Sequence, residues 1–584
     1  MNQVPFVSSI TRIKIYNILL VLIVIVFGLR LFYLQVLRHQ YYQTQAQASQ
    51  LKQYEVPAER GGIYAYDGDE IVPLVLNETR YRIVADPKII SNIDATAESL
   101  SAVLLVPADQ LKDLLQEDSR YVILANKQTK EMKQKVDELK LPGIFTNEKI
   151  PLRVYVQGAI AGQILGFVND SGEGSYGIEQ YFNDKLDGTA GRVKALTDHN
   201  NVPLLATSEN LQIDPVDGED IVLTLDVAMQ RQVESILQQG LKDAQSNSGG
   251  VIVMDTRSGA VKAMANYPSY DPAKFNEVED AKLFTNPSVS EPLEPGSVMK
   301  TLTTAAALDA GAVSPTQSYY DPSQYAVDGY VVKNIEEDGG AATRTVSDIL
   351  QYSLNTGATW LLMQMGGGEL NERGRKVWHD YLVNHYNFGR PTGIEQGYEA
   401  EGVVPDPVDG FGLNIQYANT SFGQGLTTTP LQMAAAVSSV VNGGTYYQPT
   451  LVSGSLNADG GFAPQQPRVL RDKVVSASVS QTIVSFMNNV VNNNNKSAVR
   501  SGYQVGGKTG TAEIANPAGG YYEDRFNGTY VGYVGGDNPE YVIMVRVDDP
   551  KIAGYAGSKA AGPIFSKLAN MLLDNFTVSR VSNE

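Results

Sequence analysis

Apolar residues along the chain first run unbroken and then fall into short periodic stretches. From Ile15 to Leu29 no residue is charged, and beyond Arg30 the run resumes to Leu37. That stretch is about as long as a bilayer core requires. A cleaved leader is the competing reading, with Ala46-Gln47-Ala48 as its processing site. That site lies well past the apolar run, behind Arg38, His39, Tyr41 and Tyr42, so an uncleaved anchor over 15–37 is expected. Arg12 and Lys14 precede it and favour a cytoplasmic N-terminus, leaving the bulk of the chain outside the cytoplasm. Arg30 can snorkel or face another membrane helix.

Past the span the pattern predicts a tail 1–14, the anchor, a juxtamembrane helix 38–52, a mixed α/β region 53–217, a larger domain 218–575 and a short end 576–584. In the first region strand-like YRIVADP alternates with helical TAESLSAVLL and KEMKQKVDELK. From Gly218 the texture changes. IVLTLD reads as a strand, VAMQRQVESILQQGLKDA as an amphipathic helix, and GGVIVMDT with AVKAMANY as a hairpin about Arg257-Ser258-Gly259. Helical sequence fills the middle, the Asn-rich VVNNNNK (490–496) reads as a loop, and strands return in YQVGGKTGTAEI, GTYVGYVGG and EYVIMVRVDD. A helix closes the chain from Lys559 to about Asn575. Strands at both ends with helices between predict an α+β domain: one antiparallel sheet, shared by its first and last elements and covered by helices.

Composition narrows the chemistry. The 584 residues include no cysteine, which removes thiol nucleophiles and thiolate metal sites. A net charge of −18 argues against a nucleic-acid partner. The four histidines, His39, His199, His379 and His385, are scattered, and the last two are not at zinc-helix spacing, so neither a metal nor another cofactor is expected.

Three short motifs then occur in order. Ser297-Val298-Met299-Lys300 follows Glu294-Pro295-Gly296, and SVMKTLTTAAALDAG continues as a helix. Ser297 therefore sits near a helix N-terminus with Lys300 one turn along on the same face. A serine hydroxyl needs a base, and a lysine whose proton affinity is lowered by burial and nearby charge can serve. Ser353-Leu354-Asn355 ends the helical run VSDILQYSLN; its hydroxyl can relay a proton, and its amide can hold Lys300 and substrate. Lys508-Thr509-Gly510-Thr511 lies on a strand: Lys508 supplies positive potential, Thr509 and Thr511 can bind a carboxylate, and Gly510 clears the strand edge for substrate. Each motif alone is weak. Ser49-Gln50-Leu51-Lys52 repeats the first without a Pro-Gly start, and Ser455-Leu456-Asn457 repeats the second in a Gly-rich loop that reads as a plain turn. The ordered set is the signature of penicillin-recognising serine enzymes.

Over nearly its whole length the chain resembles class B penicillin-binding proteins. Further stretches carry the likeness: RGGIYAYDG, GIEQYFNDKLDGTAG, LTLDVAMQ, MDTRSGAVKAMANYPSYDP, SFGQGLTTTPLQ and AAGPIF. The resemblance implies a pedestal, or dimerisation-like, domain before a transpeptidase domain. It implies acylation of Ser297 by peptidoglycan stem peptides ending in D-Ala-D-Ala or by β-lactams, release by a neighbouring amine, and an oxyanion hole made by the backbone N–H groups of Ser297 and Thr511. It also implies a membrane glycan polymerase and other division proteins as partners. NPSVSEPLEPGS resembles the division type rather than the elongation type. A D,D-carboxypeptidase, a β-lactamase and a non-catalytic septal scaffold or β-lactam sensor are the alternatives. Two stretches depart from the family pattern, Ala65-Tyr66-Asp67-Gly68 and the insert from Trp378 to Tyr386, and both are expected to concern partners or loops.

Overall fold

The computed structural model describes residues 9–42, 51–196, 211–334, 340–457, 459–516 and 519–582. The chain divides into two compact units, residues 1–60 with 187–218, and residues 61–186 with 219–584.

In the first unit the apolar run forms the helix Ser9–Phe32, which continues through a π turn at Tyr33–Leu37. The stretch Ile13–Leu37 has a mean hydropathy of 2.5 and is not buried by the other described residues. A helix that is apolar on every side and covered by nothing is suited to hydrocarbon. Leu51 and Lys52 do not close a juxtamembrane helix as expected. They open the strand Leu51–Val56, antiparallel to Gly191–Leu196, which also pairs with Leu211–Ile213. Val56 precedes Pro57, a position disfavoured in helical backbone, and the six-residue ladder satisfies the strand instead. Ala46, Gln47, Ala48, Ser49, Gln50 and His199 lie outside the described residues.

Among the described residues the second unit holds two large sheets and four two-stranded ones. The larger runs in the order Phe462–Pro464, Val452–Leu456, Asp220–Asp226, Ile63–Asp67, Glu70–Ala85, Val122–Gln128, with Ile144–Tyr155 also paired to Glu70–Ala85. Helices Ile93–Leu104, Ala108–Leu115 and Lys130–Glu138 cover its far end, burying Leu100, Leu111, Leu115 and Val136 against Ile83, Ala85, Val122 and Leu124. IVLTLD is the strand expected just after the 217/218 boundary, yet it bonds in parallel to Ile63–Asp67 and antiparallel to Val452–Leu456. The backbone ladder therefore runs continuously across that sequence position. Ser455 and Leu456 are not in a plain turn. They end a strand whose register sets Ser455 against Ile221 and Ala463, because flanking strands on both sides claim its backbone groups.

The second sheet is antiparallel throughout, in the order Val261–Tyr267, Ser248–Asp255, Pro539–Asp548, Tyr521–Gly535, Gln504–Ala515. Its earliest and latest strands meet directly, Gly250 opposite Arg546. Alternate residues face opposite cores. Val251, Val253, Ile543 and Val545 pack with helices Val227–Asp243 and Gly562–Asn575, whereas Ile252, Met254, Val542 and Met544 pack with Met299–Asp309, Pro430–Val441 and Ala477–Asn494. Both faces are covered, so these strands read as nearly continuous apolar runs.

Two further expectations are corrected. Val490 to Asn494 is not loop but the last turns of the helix Ala477–Asn494. Val490 and Val491 are buried there, and Asn489 and Asn494 bond Gln351, so tertiary anchoring overrides the poor helix propensity of asparagine. The segment from Trp378 to Tyr386 is helical and internal. Trp378 and Tyr386 are fully buried, Trp378 Nε1 donates to Thr420 Oγ1 at 3.0 Å, and Tyr386 Oη donates to the Leu302 carbonyl at 2.8 Å.

Candidate active site

Pro295 and Gly296 turn the chain, a 3₁₀ turn carries Gly296–Val298, and the helix Met299–Asp309 follows. Residues Met299 to Leu308 of this helix are all buried. It has no solvent face, and its small residues let neighbours approach from every side. Thr303 Oγ1 donates to the Ser421 carbonyl, and Tyr386 grips the Leu302 carbonyl, so the helix cannot rotate. Ser297 is half-buried at its mouth, and Lys300 is fully buried one turn below.

The second motif lies at a joint between helices. Val346–Gln351 starts with a capping box formed by Thr345 and Asp348, and Asn355–Met365 begins four residues after it ends. Ser353 makes the joint with φ of +58°, a costly conformation for a side-chain-bearing residue. The third motif lies on the sheet-edge strand Gln504–Ala515, where Thr509 and Thr511 alternate with buried Lys508 and Gly510.

These segments converge on Lys300. Its Nζ donates to Ser297 Oγ at 2.9 Å, to Ser353 Oγ at 3.2 Å, to the Ser353 carbonyl at 2.5 Å and to Asn355 Oδ1 at 2.7 Å. Lys508 Nζ donates to Ser353 Oγ at 3.0 Å and to the Thr509 carbonyl at 3.0 Å. The Ser353 hydroxyl therefore accepts from both lysines, which leaves its own proton to be donated outward. Six residues expected from sequence, Ser297, Lys300, Ser353, Asn355, Lys508 and Thr509, thus form one connected set.

Gly510 is also needed for close packing inside the chain. A Cβ there would lie 2.2 Å from Thr529 Oγ1 and 2.7 Å from the Pro295 carbonyl oxygen. Its missing side chain admits the nucleophile turn. The same holds on either side: a Cβ on Gly296 would meet the Thr511 carbonyl oxygen at 2.8 Å and Thr511 N at 3.2 Å, and one on Gly557 would meet the Gly510 carbonyl oxygen at 2.3 Å. The backbone of Gly296, the residue before Ser297, thus adjoins that of Thr511. Thr511 Oγ1 accepts from Gly557 N at 3.0 Å, so its proton too remains for a ligand.

Glu294 braces the turn. Its Oε1 accepts from Gly425 N at 2.8 Å and Tyr521 Oη at 2.9 Å, while Oε2 is buried without a partner among the described residues. Burial, with the Glu513 charge adding to it, pushes this carboxyl above the usual range. A raised folded value means that its contribution to stability is complete below about pH 4.3, the unfolded value, and is lost as pH rises through the folded one. Glu294→Gln keeps an acceptor for both donors and removes the charge. It should melt above the native protein at pH 8 and converge with it in acid; a variant no more stable at pH 8 contradicts this account.

Other singled-out residues lie apart. Ser455 belongs to the seven-stranded sheet, and His385 Nδ1 sits 2.7 Å from the Val474 carbonyl oxygen. Sequence reading took Gly296 as the break before the nucleophile helix but missed its packing on Thr511, and missed the bracing by Glu294 and the fit of Gly557, because what each contacts is supplied by a segment remote in sequence.

The penicillin binding protein transpeptidase domain family matches residues 249–570, and the penicillin-binding protein dimerisation domain family matches residues 55–223. Stage V sporulation protein D of Bacillus subtilis is 29% identical over 99% of this chain and 88% of its own length. The probable peptidoglycan D,D-transpeptidase PenA of Neisseria meningitidis is 28% identical over 97% of this chain and 93% of its own. Among solved structures, penicillin binding protein 2X of Streptococcus thermophilus shares the fold with a TM-score of 0.73 at 23% identity, covering 90% of this chain and 80% of that one. Penicillin binding protein 3 of Mycobacterium tuberculosis, complexed with aztreonam, has a TM-score of 0.67 at 25% identity, covering 91% of this chain and 100% of that one.

Proposed function

The chain belongs to the penicillin-binding proteins that join a dimerisation domain to a transpeptidase domain, and from that premise we propose how its residues cross-link peptidoglycan stem peptides. Ser297 attacks the penultimate D-Ala carbonyl. Lys300 takes its proton across the 2.9 Å bond, and the backbone N–H groups of Ser297 and Thr511 receive the developing oxyanion. Ser353 passes its proton to the departing D-Ala nitrogen, using the hydrogen that neither lysine engages, and takes back from Lys300, across 3.2 Å, the one removed from Ser297. Asn355 holds Lys300 and the peptide. Lys508 with Thr509 and Thr511 binds the terminal carboxylate. A neighbouring stem's amine then attacks the acyl-enzyme, and the same groups run in reverse. A β-lactam enters by the first half and stays. Residues 53–217 serve as the pedestal and 218–575 as the catalytic domain.

The observation that carries this reading is the single hydrogen-bonded set joining all three motifs through Lys300 and Ser353. Intact-mass analysis after incubation with a β-lactam should show one adduct, and peptide mapping should place it on Ser297. An adduct on Ser49 or Ser455 overturns it.

The relatives' names favour septal synthesis: one is named a stage V sporulation protein, and others, from Buchnera aphidicola, are named FtsI. With 15–37 as anchor and Arg12 and Lys14 before it, the N-terminus lies inside and the catalytic domain outside the cytoplasmic membrane. Protease added to spheroplasts should then digest everything beyond the anchor; a protected large domain reverses the topology. Arg30 faces a membrane glycan polymerase of the division machinery. Arg30→Leu should insert normally yet lose co-purification with it, and full retention would make Arg30 a snorkelling residue only.

A further inference from the structure

The helix that begins with Asn355 has no cap of its own. Leu354 occupies the N-cap position and offers no side-chain acceptor. An uncapped start normally leaves backbone N–H groups to water or to another partner, yet here Thr356 is completely buried. The missing acceptor comes from a hairpin remote in sequence. Asn334, just past the strand Tyr330–Lys333, accepts the Thr356 N–H on its Oδ1 at 3.0 Å. Its Nδ2 donates to Asp321 Oδ2 at 2.9 Å. Asp321 Oδ1 in turn accepts from Thr356 Oγ1 at 2.7 Å and from Ser323 N at 2.9 Å. Asp321 is a fully buried carboxylate satisfied by these neutral donors. A negative charge at a helix N-terminus is favourably placed, and more so where water is excluded. One residue before Asn334, the Lys333 carbonyl accepts from Asn355 Nδ2 at 3.2 Å. That bond fixes which end of the Asn355 amide is which: Nδ2 is held by the hairpin, so Oδ1 faces Lys300.

We propose that Asp321 and Asn334 are positioning residues of the transpeptidase reaction, acting as an external N-cap that fixes Ser353 and the amide of Asn355 against Lys300. The proposal rests on the assignment of Ser297 as the acylated residue. Ser353 keeps its left-handed backbone because the helix beyond it cannot shift. Without the cap that strain relaxes, the Asn355 amide turns, and Lys300 loses an acceptor. Neither residue touches substrate, so the loss appears in the rate of bond formation and not in recognition.

The test uses the full-length chain in detergent and a fluorescent penicillin, resolving the acylation rate constant k2 from the pre-covalent dissociation constant. Asp321→Asn sets amide against amide. Asn334→Asp sets carboxylate against carboxylate in a buried site. Each should lower k2 about 10²-fold, the effect of a roughly 1 Å displacement of a catalytic group, with little change in the dissociation constant. The exchanged pair Asp321→Asn/Asn334→Asp remakes every bond: the new amide donates to the new carboxylate, which accepts the Thr356 N–H. It should recover at least about tenfold of the lost rate, a coupling that only interacting neighbours show. Single variants with native k2, losses confined to the dissociation constant, or an exchanged pair no faster than the singles overturn the proposal. If the singles do not fold, the exchanged pair decides alone, and its failure to fold or to acylate counts against the cap. Native protein that takes no penicillin on Ser297 would remove the underlying assignment, a result distinct from native labelling with unaffected variants.

Discussion

Lys300→Ala should fold normally and lose acylation by a β-lactam by about 10⁴-fold or more, the upper end of what a missing general base costs. The argument is geometric. Lys300 Nζ is the basic atom bonded to Ser297 Oγ, and it is anchored by the Ser353 carbonyl and Asn355 Oδ1, which prevents it from leaving. Neither His379 nor His385 belongs to this set. Among the described residues the nearby substitute is Lys508, which is bonded to the Ser353 hydroxyl that Lys300 also holds. Stopped-flow labelling of Lys300→Ala and Lys508→Ala separates their roles. The first should lower k2, whereas the second should chiefly weaken pre-covalent binding, since Lys508 sits beside Thr509 at the carboxylate end. Near-native k2 in Lys300→Ala would transfer the role of base to Lys508 acting through Ser353.

The chemistry was legible in sequence because each motif is local. A serine and a lysine one helical turn apart must share a face, and alternation along a strand must put Thr509 and Thr511 on one side. The buried sheet was legible too, in runs such as GGVIVMDT and EYVIMVRVDD, whose two faces both require cover. What the sequence hides is anything made by contact between distant segments. IVLTLD looks like the first strand of the catalytic domain, and only the ladder shows that Ile63–Asp67 and Val452–Leu456 flank it. VVNNNNK looks like a loop because asparagine is a poor helix former, and only burial of Val490 and Val491 reverses that. The insert from Trp378 to Tyr386 looks peripheral, although its tyrosine holds a carbonyl of the nucleophile helix. Asp321 and Asn334 carry no motif; their part depends on Thr356, whose backbone they meet only in the folded chain.

The second large effect concerns a residue with no chemistry of its own. Gly423, in SFGQG, donates no side chain to the site, yet its backbone lies on the nucleophile turn. Its carbonyl accepts the Gly296 N–H at 3.0 Å. A Cβ there would sit 2.0 Å from the Gly296 carbonyl oxygen and 2.7 Å from Gly296 N. Such overlap is with backbone, so something must move, and Gly296 in turn rests on Thr511. Gly423→Ala should therefore push Ser297 away from Lys300 and open the oxyanion pair together. Displacements of this size cost about 10²-fold in rate, and two misplaced elements should cost more. Backbone strain contributes as well, because φ at Gly423 is +88°. Gly425→Ala is the control that isolates that strain. Two residues along the same loop, it has φ of +72°, but its nearest neighbours to a new Cβ are no closer than 3.6 Å. It should lose only about 1–2 kcal/mol of stability, the left-handed penalty alone, and keep most of its penicillin labelling. If Gly423→Ala labels as fast as Gly425→Ala, close backbone packing at the turn does not set the geometry of Ser297, and the order of the site must come from the helix behind it.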